Sequence, residues 1–419
     1  MKHSEQAFQA AVRDNLRRNY LAYLFHGVLG QTGMRLINMP TFIPAYVHLL
    51  SGSDFVVGLA RSLQYLGMCL TPLIGAKIVE SRRRVLPLSF AVGAAMRLQV
   101  AGIALAGFFL PDPWRLVAIC AFLALFGAFL GMQGVIFSFM VSKLIPVERR
   151  GVLIGLRVFS GSLVSAGVAG LGGWFVAEQT FGNGYATAFA LAFVLTSVGL
   201  LMLGFVREPE TPNVREPQPL RDRIRAVPVL LRSDLGFTRY FVARALATMG
   251  RMSLPFYALY AKDLIGLSGE MLSVLSVSFL LSQTGTNLAW GWLADRVGFR
   301  IVFLASLVVW VVATLGVFAS TDLAHFAAVF AVVGAGMGGF QLSAQNLVLE
   351  FGERDDLPMR IGIANSASEL IGALGPLLAG GLAALVSYDA VFVCSVVFQL
   401  AAIGIVAAYV DEPRHRARG

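Results

Sequence analysis

The chain has 419 residues, of which 57% are hydrophobic and only 14% charged, where a soluble domain carries about a quarter charged residues. That balance excludes an ordinary soluble globular protein and points to a chain that crosses a membrane many times. The net charge of +9 does not call for a nucleic-acid partner, because the basic residues are sorted between loops rather than gathered in one patch.

Residues 1–18 lack the apolar core and small-residue cleavage site of a secretory signal and read as a cytoplasmic N-terminal segment. From residue 19 onward, mostly apolar runs of about 20 residues or more recur, the length a spanning helix needs. Twelve spans are expected, at 19–50, 54–76, 85–110, 114–142, 151–177, 184–206, 238–262, 270–292, 300–320, 323–349, 360–386 and 389–410. Several connections are very short ("SGSD" near 51, "PDP" near 111, "STD" near 320, "SYD" near 387), which implies antiparallel neighbours. Cys69, Cys120 and Cys394 lie in apolar runs without metal-ligand spacing and read as small buried hydrophobes.

The basic residues orient these spans. Lys2, Arg13, Arg17, Arg18, Lys77, Arg82, Arg83, Arg84, Lys143, Arg149, Arg150, Arg157, the arginines between 207 and 239, Arg296, Arg300, Arg354, Arg360, Arg414, Arg416 and Arg418 fall in even-numbered connections or at the termini. The opposite side has only Arg115 and Lys262. By the positive-inside rule both termini are cytoplasmic, in the plasma (inner) membrane.

The Pro-rich, charged stretch 207–237 divides an expected six-helix bundle, 19–206, from a second, 238–410, with 411–419 as a cytoplasmic tail. The halves share ordered landmarks. Pro44 and Tyr46 match Pro255 and Tyr257 at an offset of 211, and "GAKIVESRRR" at 75–84 matches "GWLADRVGFR" at 291–300 at 216. Gly127 and Gly131 match Gly334 and Gly338 at 207, and Gly167, Gly172 and Gly173 match Gly375, Gly380 and Gly381 at 208. Duplicated helical halves are a transporter architecture with the solute site near the midplane where the repeats meet.

"GWLADRVGFR" resembles the loop motif Gly-x-Leu-Ala-Asp-Arg-x-Gly-Arg of the major facilitator superfamily, through Gly291, Leu293, Ala294, Asp295, Arg296, Gly298 and Arg300. The resemblance extends over nearly the whole chain and implies an all-α membrane protein of 12 transmembrane helices in two pseudosymmetric six-helix bundles. The family carries its better copy of the motif after span 2. Here that copy is degraded, with Val79 where Asp is expected and Glu80 one position late. Proton-coupled drug exporters of the superfamily carry an Arg before a Gln-Gly pair in span 4, where this chain has Leu130 before Gln133 and Gly134. Their span-5 Gly-Pro-x-x-Gly-Gly is not matched by "GVAGLGG" (167–173), and a nearer "GPLLAGG" lies in span 11 (375–381). A standard drug antiporter is discounted on these departures.

In the family such a hairpin docks against the other half and holds the cytoplasmic side shut. By this resemblance Asp295, Arg296 and Arg300 form a cytoplasmic gate with Arg149 and Arg150, Asp295 accepting from the N-terminus of span 5 near Gly151. By pseudosymmetry Glu80 is expected to face Arg360. Gly291 and Gly298 are expected to allow a tight turn, and the glycine strings of spans 5 and 11 to be close-packing surfaces.

Charge inside a span costs several kcal/mol and needs a partner or a wet cavity. Arg35 and Arg251 lie near mid-depth in spans 1 and 7, which the family uses to line its cavity. Arg61 is closer to the outer half, while Arg97 and Arg244 read as structural or snorkelling residues. Glu369 is the one carboxylate clearly inside a span, and it is the expected proton-coupling residue. His26 has a proton relay as its alternative to a hydrogen-bonded core role. Gln341 and Gln345 are four apart on one helical face, as are Gln283 and Asn287. Tyr46 and Tyr257 follow matching prolines. The expected solute contacts are therefore Arg35, Arg251, Arg61, Gln341, Gln345, Tyr46 and Tyr257. Arginines outnumber carboxylates at this depth, which favours an anionic or zwitterionic solute.

The expected function is secondary transport of a small organic anion by alternating access with proton coupling, as symporter or antiporter, by a monomer in the lipid bilayer. Efflux of drugs or toxic metabolites is the alternative within transport, and a non-transporting sensor or scaffold is the alternative of another class. Nothing resembles a phosphate-binding P-loop, a metal-ligand cluster or a nucleophile with its base, so an enzyme, a cofactor and a metal are not expected.

Overall fold

Long apolar runs without polar alternation favour helix over strand, and polar residues between them decide where each helix starts. A computed structural model describes residues 8, 10–211, 228–348, 351 and 357–410. The expected segments 1–18, 207–237 and 411–419 therefore lie wholly or partly outside the described residues, as does the side chain of Glu80. The helices are α1 (Leu16–Asn38), α2 (Phe42–Ser51), α3 (Asp54–Glu80), α4 (Leu86–Phe109), α5 (Trp114–Leu144), α6 (Val147–Ala177), α7 (Gly184–Leu201), α8 (Leu235–Met249), α9 (Leu254–Ile265), α10 (Gly269–Val297), α11 (Phe299–Val317), α12 (Leu323–Leu347), α13 (Leu357–Leu385) and α14 (Tyr388–Tyr409). Asn183, Asp234, Ser268, Asp322 and Ser387 cap α7, α8, α10, α12 and α14, each accepting from the backbone N–H three residues on. Such caps satisfy donors that the first turn leaves free.

Nine of the described helices are long and apolar enough to cross a membrane, and they fall in expected spans 2–6 and 9–12. Spans 1, 7 and 8 are not among the nine: α1 and α10 are long enough but less apolar, and spans 1 and 7 are each interrupted. Span 1 is interrupted at residues 39–41 between α1 and α2, and span 7 passes through a 3-10 turn, Gly250–Ser253, between α8 and α9. A broken helix frees backbone carbonyls that must be satisfied away from water. At the first break the Met39 carbonyl accepts from the Arg61 guanidinium, which also donates to Gln64 Oε1 at 2.9 Å. At the second, the Gly250 carbonyl accepts from Ser395 Oγ and from Gln399 Nε2, both on α14.

Packing divides the chain into two units, residues 1–38 with 66–220 and residues 39–65 with 221–419. In the first, α1 lies against α6 and α7, and α4 against α5 and α7. Its core gathers Tyr23, Val85, Ile136, Met140, Leu144 and Leu153. The segment after α7 is stitched to the rest of this unit at Glu208. Its buried carboxylate accepts from the N–H groups of Val85 and Leu86 at the start of α4 and from Lys143 Nζ at 2.7 Å at the end of α5.

In the second unit, α10 and α11 pack on α12, and α8 on α14. Residues 39–65 join it through polar contacts. Thr41 Oγ1 meets Ser276 Oγ at 2.7 Å, Lys262 Nζ meets His48 Nε2 at 2.9 Å, and the Tyr388 hydroxyl donates to Asp54 Oδ1 at 2.7 Å. They join it also by close backbone approach: a Cβ at Gly58 of α3 would lie 2.2 Å from the Pro376 carbonyl of α13. Gly375 and Gly380 of span 11 pack closely as expected, as does Gly161 of span 5, where a Cβ would lie 3.2 Å from the Gly27 carbonyl, whereas Gly167 and Gly381 have open space beside them.

Between α10 and α11, only Gly298 takes the left-handed backbone (φ +93°), its N–H closing on the Ala294 carbonyl. Gly291 sits within α10 with no close neighbour, so the turn rests on one glycine rather than two.

Candidate functional site

In the second unit, the break in span 7 holds Arg251 half-buried where α8 gives way to α9. Its guanidinium donates to the Tyr65 hydroxyl at 3.0 Å and lies 5.7 Å from that ring's centre. Its Nε is buried and has no hydrogen-bond partner among the described residues. Glu369 of α13 lies within the electrostatic reach of Arg251 and Arg244 and forms no ion pair among the described residues. Arg244 does not snorkel. It is buried, and donates to the Ala344 carbonyl at 3.2 Å and to Asn365 Oδ1 at 2.9 Å, tying α8 to α12 and α13. Arg251, Tyr65 and Glu369 therefore form a group with a free guanidinium N–H, a phenol and an unneutralised carboxylate, which suits binding of an anion or exchange of a proton.

The other expected solute contacts divide. Gln341 and Gln345 are exposed on one face of α12, while Asn346 turns its amide back to the Leu342 carbonyl. Tyr46 and Tyr257 are each 1% exposed. The Tyr257 hydroxyl is engaged by Thr314 Oγ1 at 2.7 Å and by the Trp310 indole N–H at 3.2 Å, so it holds α9 to α11 and presents nothing to a solute here. Arg61 is 5% exposed and serves the span-1 break described above. In the first unit, Arg35 is half-buried and donates to Gln31 Oε1 at 3.2 Å. His26 has Arg97 and Arg157 against its ring nitrogens, and neither cation can take a proton from it.

Two residues escaped sequence reasoning. Arg157 reads with the loop cations in sequence, yet it is 7% exposed on α6 and stacks 4.4 Å over Phe137. The signal was its spacing: seven residues beyond Arg150 is about 10 Å along a helix. Tyr65 carried no signal, because its role depends on Arg251 arriving from a distant span.

The expected gate residues are engaged locally. Arg300 donates to the Val406 and Ala407 carbonyls at the end of α14, and Arg150 to the Ser142 and Ile145 carbonyls at the end of α5. Both neutralise helix C-termini, the negative pole of the helix dipole. Arg296 stacks 3.9 Å over Trp292, and Asp295 and Arg149 are exposed. The side chain of Glu80, the expected partner of Arg360, lies outside the described residues. Arg360 binds Asp234 at 2.6 Å, because Asp234 caps α8 with one carboxylate oxygen and turns the other toward α13.

Partial burial pushes the Asp234 carboxyl up, but the Phe237 N–H and Arg360 pull it further down, leaving it below the usual carboxylate range. A lowered folded value stabilises the fold fully above the unfolded pKa, about 4, and the contribution is lost as pH falls through the folded value. Asp234→Asn is expected to flatten that acid limb in thermal melts. At neutral pH Asn still caps the helix but leaves the Arg360 guanidinium, 5% exposed, without its carboxylate, so a cost of about 1–3 kcal/mol is expected.

A model of the Major Facilitator Superfamily matches residues 24–244 and 240–419. The chain belongs to the Major Facilitator Superfamily. It is a multi-pass integral membrane transporter. The multidrug resistance protein MdtG of Enterobacter lignolyticus (strain SCF1) is 25% identical over 385 residues, covering 88% of this chain and 87% of the relative. Two solved structures share the fold. The nucleoside transporter NupG has a TM-score of 0.71 at 12% identity, covering 94% of this chain and 99% of that one. A D-xylose–proton symporter has a TM-score of 0.71 at 15% identity, covering 95% of this chain and 99% of that one.

Proposed function

We propose that this superfamily transporter moves a small organic anion by alternating access, with Glu369 carrying the coupled proton. The observation that supports it is the group at the span-7 break, where Arg251 has an unpartnered buried Nε and Glu369 no ion pair among the described residues. An arriving anion satisfies the guanidinium, which weakens its hold on Glu369 and favours protonation there. When the anion leaves, Arg251 again favours the carboxylate. Gln341 and Gln345, in the same unit as Arg251, are the further solute contacts in this reading. The chain works as a monomer in the plasma (inner) membrane, with both termini cytoplasmic by the positive-inside rule.

Glu369→Gln is expected to retain solute exchange in proteoliposomes and lose the response to a pH gradient. A retained response assigns coupling elsewhere. The second reading is drug or toxic-metabolite efflux, favoured by the MdtG relative's name. A purified-protein melting screen separates the two, since anionic metabolites raise the melting temperature in the first and lipophilic drugs in the second.

A further inference from the structure

The first unit holds a second cluster that the solute reading does not use. His26 of α1 is 7% exposed, Arg97 of α4 3% and Arg157 of α6 7%. Arg97 Nη2 lies 3.5 Å from His26 Nε2, and Arg157 Nη1 lies 3.5 Å from His26 Nδ1. A neutral imidazole has one lone pair and one N–H. Both of its nitrogens here face guanidinium donors, so at least one side sets donor against donor.

The remaining contacts do not supply the missing acceptor. Arg97 donates to the Thr196 carbonyl at 2.6 Å and the Gly93 carbonyl at 2.8 Å, and Arg157 to the Tyr23 carbonyl. These carbonyls are neutral, and no carboxylate pairs with either arginine among the described residues. The Tyr23 hydroxyl, which can donate or accept, is buried and has no hydrogen-bond partner among the described residues. The packing is built around the cations: a Cβ at Gly27 would fall 2.6 Å from Arg157 Cζ, so α1 is bare where the guanidinium lies. Two buried positive charges and a surplus of donors call for one group with several lone pairs and negative charge.

We propose that the Arg97–His26–Arg157 cluster is a binding site for a small monovalent anion of halide or carboxylate size, distinct from the Arg251 group. An anion here accepts from both guanidiniums and from an imidazole N–H, and it neutralises charge that no described carboxylate pairs.

The test is melting of the purified full chain in detergent, titrated with chloride, acetate or gluconate at matched ionic strength. Chloride and acetate are expected to raise the melting temperature saturably by about 2–4 °C over gluconate. A larger effect of chloride identifies a free inorganic ion as the occupant, and a larger effect of acetate identifies a carboxylate. His26→Glu places acceptors between the two guanidiniums and is expected to raise the melting temperature without anion and abolish the anion response. Identical melting of the wild type in all three salts overturns the site, as does a full anion response in His26→Glu. The Arg251→Ala variant is expected to keep the response, so failure of the solute reading and failure of this site are read separately.

Discussion

Glu208→Ala is expected to destabilise the first unit by about 3–5 kcal/mol, the range for removing one partner of a buried ion pair. The side chains of Glu208 and Lys143 are 2% and 4% exposed, and they meet at 2.7 Å. Without the carboxylate, Lys143 retains, among the described residues, the Arg83 carbonyl at 2.9 Å. The N–H groups of Val85 and Leu86, at the positive end of α4, lose their acceptor at the same time. The loss is readable as a fall in melting temperature and in yield of folded protein. The double variant Glu208→Gln with Lys143→Met is expected to be more stable than the sum of its parts, because no charge is then left buried alone. A Glu208→Ala protein within about 0.5 kcal/mol of wild type behaves as a surface substitution and rejects the clamp.

Arg251→Ala is expected to reduce transport at least about 100-fold, the equivalent of losing one or two hydrogen bonds to a charged group. Melting should change little, because the guanidinium's described hydrogen bond is to the Tyr65 hydroxyl and its Nε is unpartnered. Tyr65→Phe removes that one bond and is expected to cost about tenfold, as a positioning effect. Arg251→Lys keeps the charge but not the fork and should recover only part of the flux. Flux in proteoliposomes at the wild-type rate for Arg251→Ala removes the argument for an anionic solute.

The architecture was legible in the residues because the bilayer is a simple filter. A helix that crosses it must be long and apolar, so span positions such as 86–109 and 388–409 agree with the expected runs to within one or two residues. The hairpin "GWLADRVGFR" was legible for a similar reason, since Asp295, Arg296 and the left-handed Gly298 have no place inside an apolar run.

Partners were not legible. Whether an arginine is free or engaged depends on what the other helices bring to it. Arg61 is occupied by the Met39 carbonyl at the break that Pro40 marks, a pairing no residue pattern shows, and Arg300 and Arg150 by the ends of neighbouring helices. Tyr46 and Tyr257, which follow matching prolines in the two halves, are sealed by packing.

By itself the sequence determined the helical class, the family resemblance and the excess of positive charge in the spans, since these follow from hydropathy and spacing along one chain. Only the tertiary structure decided which cations are satisfied, because satisfaction is set by donors and acceptors far apart in sequence. Among the described residues it left the Arg251 Nε without a partner, within electrostatic reach of Glu369, and His26 between two guanidiniums.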